Sequence, residues 1–295
     1  MENKNQKMVE LLKQQVPEES VVTTSINGVK LYRVEKSFNR KPTSYNSEII
    51  IIAQGEKRVY LGDNVYTYNP SRYLVLPVPL PAECEAIVSP DGPLLGISIQ
   101  VDPLIVGEIL LELDDTRPPA DDLHKGIYTA PMTVSIADTA LRLLEALSSP
   151  DDRRILGPMI MREIIYRVLR GENGDALQAL TFRDRRFFQI AKVLNKIHQT
   201  YHHNHDIRSL AMEAGMGMSS FHTSFKAVTD ASPLQYIKSV RLHKARELMI
   251  QDGVNAYNAA LRVGYESPSQ FSREYKKFFG ITPAKDTAGT LDENV

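Results

Sequence analysis

ALRVGYESPSQFSREYKKFFGITP, residues 260 to 283, decides how the C-terminal third of the chain is read. It holds an alanine, a glycine four residues on, a serine with proline behind it, and then two aromatics four apart, which is the order of parts in a helix-turn-helix. Ala260 lets two helices approach closely, and Gly264 can take the left-handed conformation where the first helix ends. Ser267 and Pro268 cap and open the second helix. Phe271 and Tyr275 pack inward, leaving Ser269, Gln270, Ser272, Arg273 and Lys276 outward. The same order stands upstream in SLAMEAGMGMSSFHTSFKAVTDASP, residues 209 to 233. There Ala211, Gly215, Phe221, Phe225, Lys226 and Ser232-Pro233 repeat Ala260, Gly264, Phe271, Tyr275, Lys276 and Thr282-Pro283, offset by 49 residues before the turn and 50 after it.

Everything beyond 184 reads helical: 184 to 201, 207 to 214, 218 to 228, 233 to 251, 255 to 263 and 268 to 279. The charge divides along the same line. The chain has 295 residues and a formal net charge of -1, but residues 1 to 180 carry 19 Lys/Arg against 25 Asp/Glu, and residues 181 to 285 carry 16 against 8, a net of +8. A basic helical module points to a polyanion partner. Length alone suggests two domains, set here at 1 to 180 and 181 to 295, with helix-turn-helix units at about 207 to 228 and 255 to 279 and an acidic tail over 286 to 295.

The N-terminal half has another period. VKLYRV (29 to 34), EIIIIAQ (48 to 54), KRVYL (57 to 61), NVYTYNP (64 to 70), RYLVLPV (72 to 78), ECEAIV (83 to 88) and LLGISIQV (94 to 101) are short strands rich in Val, Ile and Tyr, separated by Gly, Asp, Asn and Pro turns. Such strands at this spacing predict a sandwich or a barrel. Helical segments follow at 104 to 113, 134 to 147 and 155 to 170; the first is apolar nearly all round and needs a partner surface. A fraction of 42% hydrophobic and 24% charged residues excludes disordered, collagen-like and coiled-coil classes. No run approaches 18 apolar residues, MENKNQKMVE lacks a secretory apolar core, and the single cysteine, Cys84, can form no internal disulfide. A reducing, cytoplasmic location is expected.

From Ala260 to Pro283 the second unit carries nearly the whole signature of the AraC/XylS family of transcription regulators, and residues 184 to 285 resemble that family's DNA-binding domain. The first unit departs twice, with Gly217 where the family has a capping serine and Asp230 where it has glycine. Both replacements suit their positions, since Gly is an acceptable N-cap and Asp tolerates the left-handed conformation. Residues 20 to 170 resemble the family's cupin-like sensor domain through LYRVEKSF, EIIIIAQGEKRVYLGDNVYTYNPSRYLVLPVPLPAECE and PLLGISIQVDP. The resemblance implies a multidomain α+β chain: a cupin-like β-barrel with flanking helices, then an all-α domain of two helix-turn-helix units joined by a long helix. It implies a sequence-specific, non-enzymatic DNA-binding regulator controlled by a small-molecule effector.

In that frame each recognition helix lies in the major groove, the two meeting successive groove segments roughly 34 Å apart. The first offers Ser219, Ser220, His222, Thr223 and Lys226. The second offers Ser269, Gln270 and Arg273 to bases and Lys276 and Lys277 to phosphates, with its cap Ser267 also on the DNA side and Arg241 and Lys244 as further phosphate contacts from the connecting helix. His202, His203 and His205 invite a metal reading, but they fall in a loop where His205-Asp206 better explains a helix cap. Residues 1 to 180 contain one histidine, His124, outside the strands, which argues against a cupin metal site; no metal or cofactor is expected.

A metal-free barrel lined with aromatics suits a small, largely apolar effector, with Tyr32, Tyr60, Tyr66, Tyr68, Tyr73, Cys84 and Glu85 as wall candidates. Cys84 is either an inert buried thiol or a nucleophile toward an electrophilic effector. Residues 1 to 20, with the helical stretch VELLKQQ, suit an arm closing over the barrel. Ile160, Ile164 and Val168 are the expected homodimer contacts, and expected partners are duplex promoter DNA, a second copy and, for an activator, RNA polymerase. The competing readings are a cupin enzyme fused to a DNA-binding module and a barrel that serves only protein interaction.

Overall fold

The structure is a computed structural model that describes residues 2–113, 123–183 and 185–292. Helix α1 (Glu2–Gln15) leads into strands β1 (Ser20–Thr23), β2 (Val29–Val34), β3 (Phe38–Tyr45), β4 (Glu48–Gln54), β5 (Glu56–Leu61), β6 (Asn64–Tyr68), β7 (Arg72–Leu76), β8 (Leu80–Ile87) and β9 (Leu94–Gln100). Helix α2 (Pro103–Glu112), strand β10 (Tyr128–Pro131), and helices α3 (Val134–Ala146), α4 (Pro150–Leu169) and α5 (Asp175–Gln178) follow.

The strands form a six-stranded sheet in the order β1-β2-β9-β4-β7-β10 and a four-stranded sheet in the order β3-β8-β5-β6. These are two open sheets stacked face to face, the sandwich that the strand spacing allowed and not the closed barrel that the family resemblance implied. Their edges explain why. β3 (FNRKPTSY) is polar and contains Pro42, which has no N–H to donate to a ladder, and it stands at the edge of its sheet. That polarity also hid β3 from a search for apolar alternation. β8 buries every second residue, Leu80, Ala82, Cys84 and Ala86, against the other sheet. β4 is buried on both faces, because the six-stranded sheet has the four-stranded one on one side and α1, backed by α3, on the other.

Helix α1 is an integral layer and not an arm over the gap between the sheets. Met8, Leu12 and Val16 are buried, Asn5 Nδ2 donates to the Ala53 carbonyl at 2.9 Å, and Gln15 Nε2 donates to the Leu144 carbonyl at 3.1 Å. Helix α4 begins five residues before the sequence reading, where Ser149 accepts from the Asp152 amide at 3.3 Å. Ile160, Ile164 and Val168 are buried within their own chain, so they cannot be the dimer contacts expected of them. The most exposed apolar residues that α4 and α2 leave outside are Leu111, Leu104, Met159 and Ile155.

The C-terminal half is helical throughout: α6 (Arg186–Gln199), α7 (Ile207–Glu213), α8 (Met218–Thr229), α9 (Pro233–Ile250), α10 (Ala256–Arg262), α11 (Pro268–Phe279) and α12 (Pro283–Asp292). Most of the expected acidic tail is therefore helix α12, with 293–295 outside the described residues. Asp286 is buried because Arg246 Nε and Nη2 donate to it at 2.8 and 3.1 Å and the Tyr275 hydroxyl at 2.5 Å. One hydrophobic core runs from both sheets through α6, α7, α8 and the first half of α9. A second, smaller one joins the rest of α9 to α10 and α11.

Candidate nucleic-acid interface and the cleft beside it

The two helix-turn-helix units are built as the repeat required. Asp206 caps α7, accepting from the Arg208 and Ser209 amides. Gly215 (φ +64) and Gly264 (φ +86) make the turns. Phe221, Phe225, Phe271 and Tyr275 are buried. The opposite faces are open: Ser219, Ser220, His222, Thr223 and Lys226 on α8, and Ser269, Gln270, Arg273, Lys276 and Lys277 on α11, are all exposed. Arg273 makes no ion pair among the described residues, so its planar donor fork is available to a base edge. Gln270 Nε2 donates to Glu274 at 3.1 Å.

Three residues on the expected DNA surface have structural duties. Ser267 caps α11, accepting from the Gln270 amide at 3.3 Å. Arg241 is not a free phosphate contact: it donates to the carbonyls of Tyr201 and His203 at 2.8 Å each and of Gly264 at 3.3 Å, stapling the α6–α7 loop to the second unit's turn. Lys244 pairs with Glu247 at 2.7 Å. In the histidine loop, the His205 ring bonds the Thr200 carbonyl at 2.9 Å, and the His202 carbonyl lies so close to Gly264 that a Cβ there would sit 2.4 Å away.

The wall candidates of the sensor half fall on three different surfaces. Tyr32, Tyr68 and Cys84 lie between the sheets, with Tyr45 beside them. Tyr73 lies on the helical side, its hydroxyl against Gly171 at the end of α4. Tyr60 and Glu85 sit on the outer face of the four-stranded sheet, where the Tyr60 hydroxyl donates to Glu85 at 2.8 Å, and Tyr66 is only half-buried. Tyr60, Glu85 and Tyr73 therefore cannot share one pocket with Tyr32. The hydroxyls of Tyr32, Tyr45 and Tyr68 are buried without a hydrogen-bond partner in good geometry among the described residues, and burial holds all three pKa values well above the usual phenol range.

Contacts between the halves were absent from the sequence reading. The Tyr236 hydroxyl on α9 donates to the Pro79 carbonyl at 2.6 Å and meets the His198 ring at 2.9 Å. Burial lowers the His198 pKa to about 4, so the ring is neutral. The Gly126 amide donates to the Val228 carbonyl at the end of α8 at 3.0 Å. Asp230, left-handed at φ +56, presses its carboxylate against Gly62 in the β5–β6 turn so closely that a Cβ on Gly62 would overlap it.

Beside these contacts, a cleft of about 560 Å³ opens between the end of the sheet sandwich and α6. Lys30, Glu48, Ser98 and Gln100 line one wall, and Asn195, His198 and Gln199 the other. Glu48 accepts from the Asn46 amide at 3.1 Å and from the Ser98 hydroxyl. Burial nonetheless raises its pKa. The only sequence signal for this site was a lone Glu opening the apolar run EIIIIAQ.

Among the described residues no helix is long and apolar enough to cross a membrane, and no group of three or more His, Cys, Asp and Glu side chains is gathered as a metal ion would need.

Residues 25–176 match the model of the AraC-type transcriptional regulator N-terminus, and residues 210–288 match a helix-turn-helix domain model. Sequence relatives include the regulator ExsA of Pseudomonas aeruginosa, 29% identical over 83 residues that cover 28% of this chain and 30% of ExsA. The activator VirF of Yersinia enterocolitica is 30% identical over 79 residues, covering 27% and 29%. The regulator ArgR of P. aeruginosa is 25% identical over 158 residues, covering 52% and 47%. The chain thus spans less than half the length of each of these relatives. Among solved structures, apo ToxT K231A of Vibrio cholerae superposes with a TM-score of 0.61 at 11% identity, over 90% of this chain and 98% of that one. ToxT bound to an unsaturated fatty acid gives 0.57 at 14%, over 88% and 94%. These superpositions fix the fold, two separate sheets included, and the match across 25–176 fixes the descent: the chain belongs to the family of AraC-type transcriptional regulators.

Proposed function

We propose that this chain is a sequence-specific DNA-binding transcription regulator whose N-terminal half senses a small molecule. The observation that carries the reading is the pair of helices α8 and α11. Each sits behind a glycine turn, each buries two aromatics, and each presents exposed hydroxyl, amide and cationic side chains. Arg273 and Gln270 are the base readers, and Lys226, Lys276 and Lys277 the phosphate contacts. The partners are promoter DNA, a second copy of the chain and, for activation, RNA polymerase. A ToxT structure with a bound fatty acid supports the sensing half of the reading. The second copy is expected on the outer face of α2 and α4, where Leu104 (75% exposed), Leu111 (77%), Met159 (64%) and Ile155 (57%) remain uncovered.

The test is selection of duplex DNA by the full chain, followed by titration in rising salt. Affinity should fall steeply with salt. Arg273→Ala should cost about 1 to 3 kcal/mol and relax preference at one or two base pairs, whereas Lys277→Ala should weaken all sequences alike. Salt-independent binding would overturn the reading. For assembly, Met159→Glu with Leu111→Glu should yield monomers by sedimentation; an unmodified chain already monomeric at micromolar concentration would refute the dimer.

A further inference from the structure

We propose that the cleft between the sheet sandwich and α6 binds a small zwitterion carrying an ammonium and a carboxylate, an α-amino acid by class, with Glu48 holding the ammonium and Lys30 the carboxylate. The register of the six-stranded sheet places the two groups. Lys30 pairs with Ser98 and Ser98 with Ile50, while Glu48 pairs with Gln100. Cross-strand partners share a face, so Lys30, Ser98, Gln100 and Glu48 lie on the same face as Tyr32, the one turned toward the second sheet. At this end α6 covers that face in place of the second sheet, and the cleft lies between them.

Its charges select the ligand. Lys30 and Glu48 line one cleft, yet neither makes an ion pair with the other or with any other described residue. Glu48 has two hydrogen-bond donors and no cation within ion-pairing distance, Lys30 and Lys57 acting on it only from farther off, and a sunken carboxylate of that kind is stabilised by a directly bonded ammonium group. A divalent cation would need more carboxylates than the one present. A long apolar chain would meet carboxamides from Asn27, Asn46, Gln100, Asn195 and Gln199. A neutral polyol would leave both groups without a direct charged partner. One ligand bearing both signs satisfies the acid, the base and the surrounding amides together, and the volume suits a small metabolite. Because the walls come from both halves, and His198 in one wall is bonded through Tyr236 to Pro79, such a ligand bridges the sensor half and α6, the helix that packs against α8 of the first helix-turn-helix unit. The proposal names the effector class within the regulator reading above, and its test needs no DNA, so the two can fail separately.

The experiment is calorimetric titration of the full chain with the proteinogenic L-α-amino acids. For each that binds, the des-amino acid and the decarboxylated amine follow. At least one amino acid should bind at submillimolar concentration, and both truncated analogues should bind about tenfold or more weakly. Glu48→Gln and Lys30→Met should each weaken the amino acid by about the same factor, Glu48→Gln erasing the advantage over the des-amino acid and Lys30→Met that over the amine. Should either variant fail to fold, Asn195→Trp fills the cleft from α6 and should abolish binding. No heat with any amino acid at millimolar concentration, or binding that survives these substitutions, overturns the proposal while leaving DNA recognition standing.

Discussion

The two helix-turn-helix units repeat each other in sequence but are held by different parts of the molecule. The first belongs to the sensor half's core: Phe221, Phe225, Val228 and Tyr236 sit in the same apolar cluster as the sheets, and Val228, Asp230 and Tyr236 touch Gly126, Gly62 and Pro79. The second has a core of its own, closed by α12 through Arg246, Tyr275 and Asp286, and packs on the sensor half through β3. A change in the sensor half is therefore expected to reach α8 before α11. Coupling of this kind shifts an equilibrium by the difference in ligand affinity between two arrangements, typically 1 to 3 kcal/mol.

Matched glycine substitutions give the largest expected contrast. Gly215 and Gly264 hold the same place in the two turns, yet a Cβ on Gly215 meets nothing within 4 Å whereas one on Gly264 meets the His202 carbonyl at 2.4 Å. Gly215→Ala should cost about 1 kcal/mol, the left-handed penalty alone. Gly264→Ala should cost about 2 to 4 kcal/mol, because backbone must move as well. Chemical denaturation of both variants measures the difference, and equal losses would break the contrast.

Acid should strain both units. His198 has its pKa lowered to about 4 and His243, wedged edge-on against Phe278 and Phe279 in the second core, to about 3, burial being the first cause in each. The unfolded rings take up protons near pH 6.5 and the folded ones resist, so stability is complete above that pH and is lost as pH falls toward 4. His198 alone should contribute a loss on the order of 3 kcal/mol at pH 4. His198→Gln should flatten the part of the pH profile between 6.5 and 4 that follows the sensor half; an unchanged profile would reassign it.

Smaller effects probe the seam. Tyr236→Phe removes the hydroxyl between His198 and Pro79 and should cost about 1 to 2 kcal/mol. The first unit should then unfold before the sheets, read as a second transition by hydrogen exchange. Asp230→Gly sets two effects of under about 1 kcal/mol against each other: relief at a left-handed cap and loss of the contact with Gly62. Its near-neutral stability, with a weakened response of DNA affinity to effector, would mark Asp230 as a coupling residue.

By itself the sequence determined the alternating strands, the change from strands to helices and the two helix-turn-helix repeats. These depend on local rules: EIIIIAQ occupies β4 residue for residue, and Pro268 through Phe279 is α11. Period, caps and turn glycines act over a few neighbours, so the order of residues is enough to fix them. Local order could not show that the polar stretch 38–45 is an edge strand, that α4 turns Ile164 and Val168 into its own chain, or that the seven wall candidates divide among three surfaces. Nor could it show that Arg241 is consumed by three carbonyls, or that Lys30, Glu48 and His198 meet across one cleft. Those outcomes depend on which distant segments meet. A strand's register and a helix's buried face are chosen by packing between residues tens to hundreds of positions apart, so only the tertiary structure decided them.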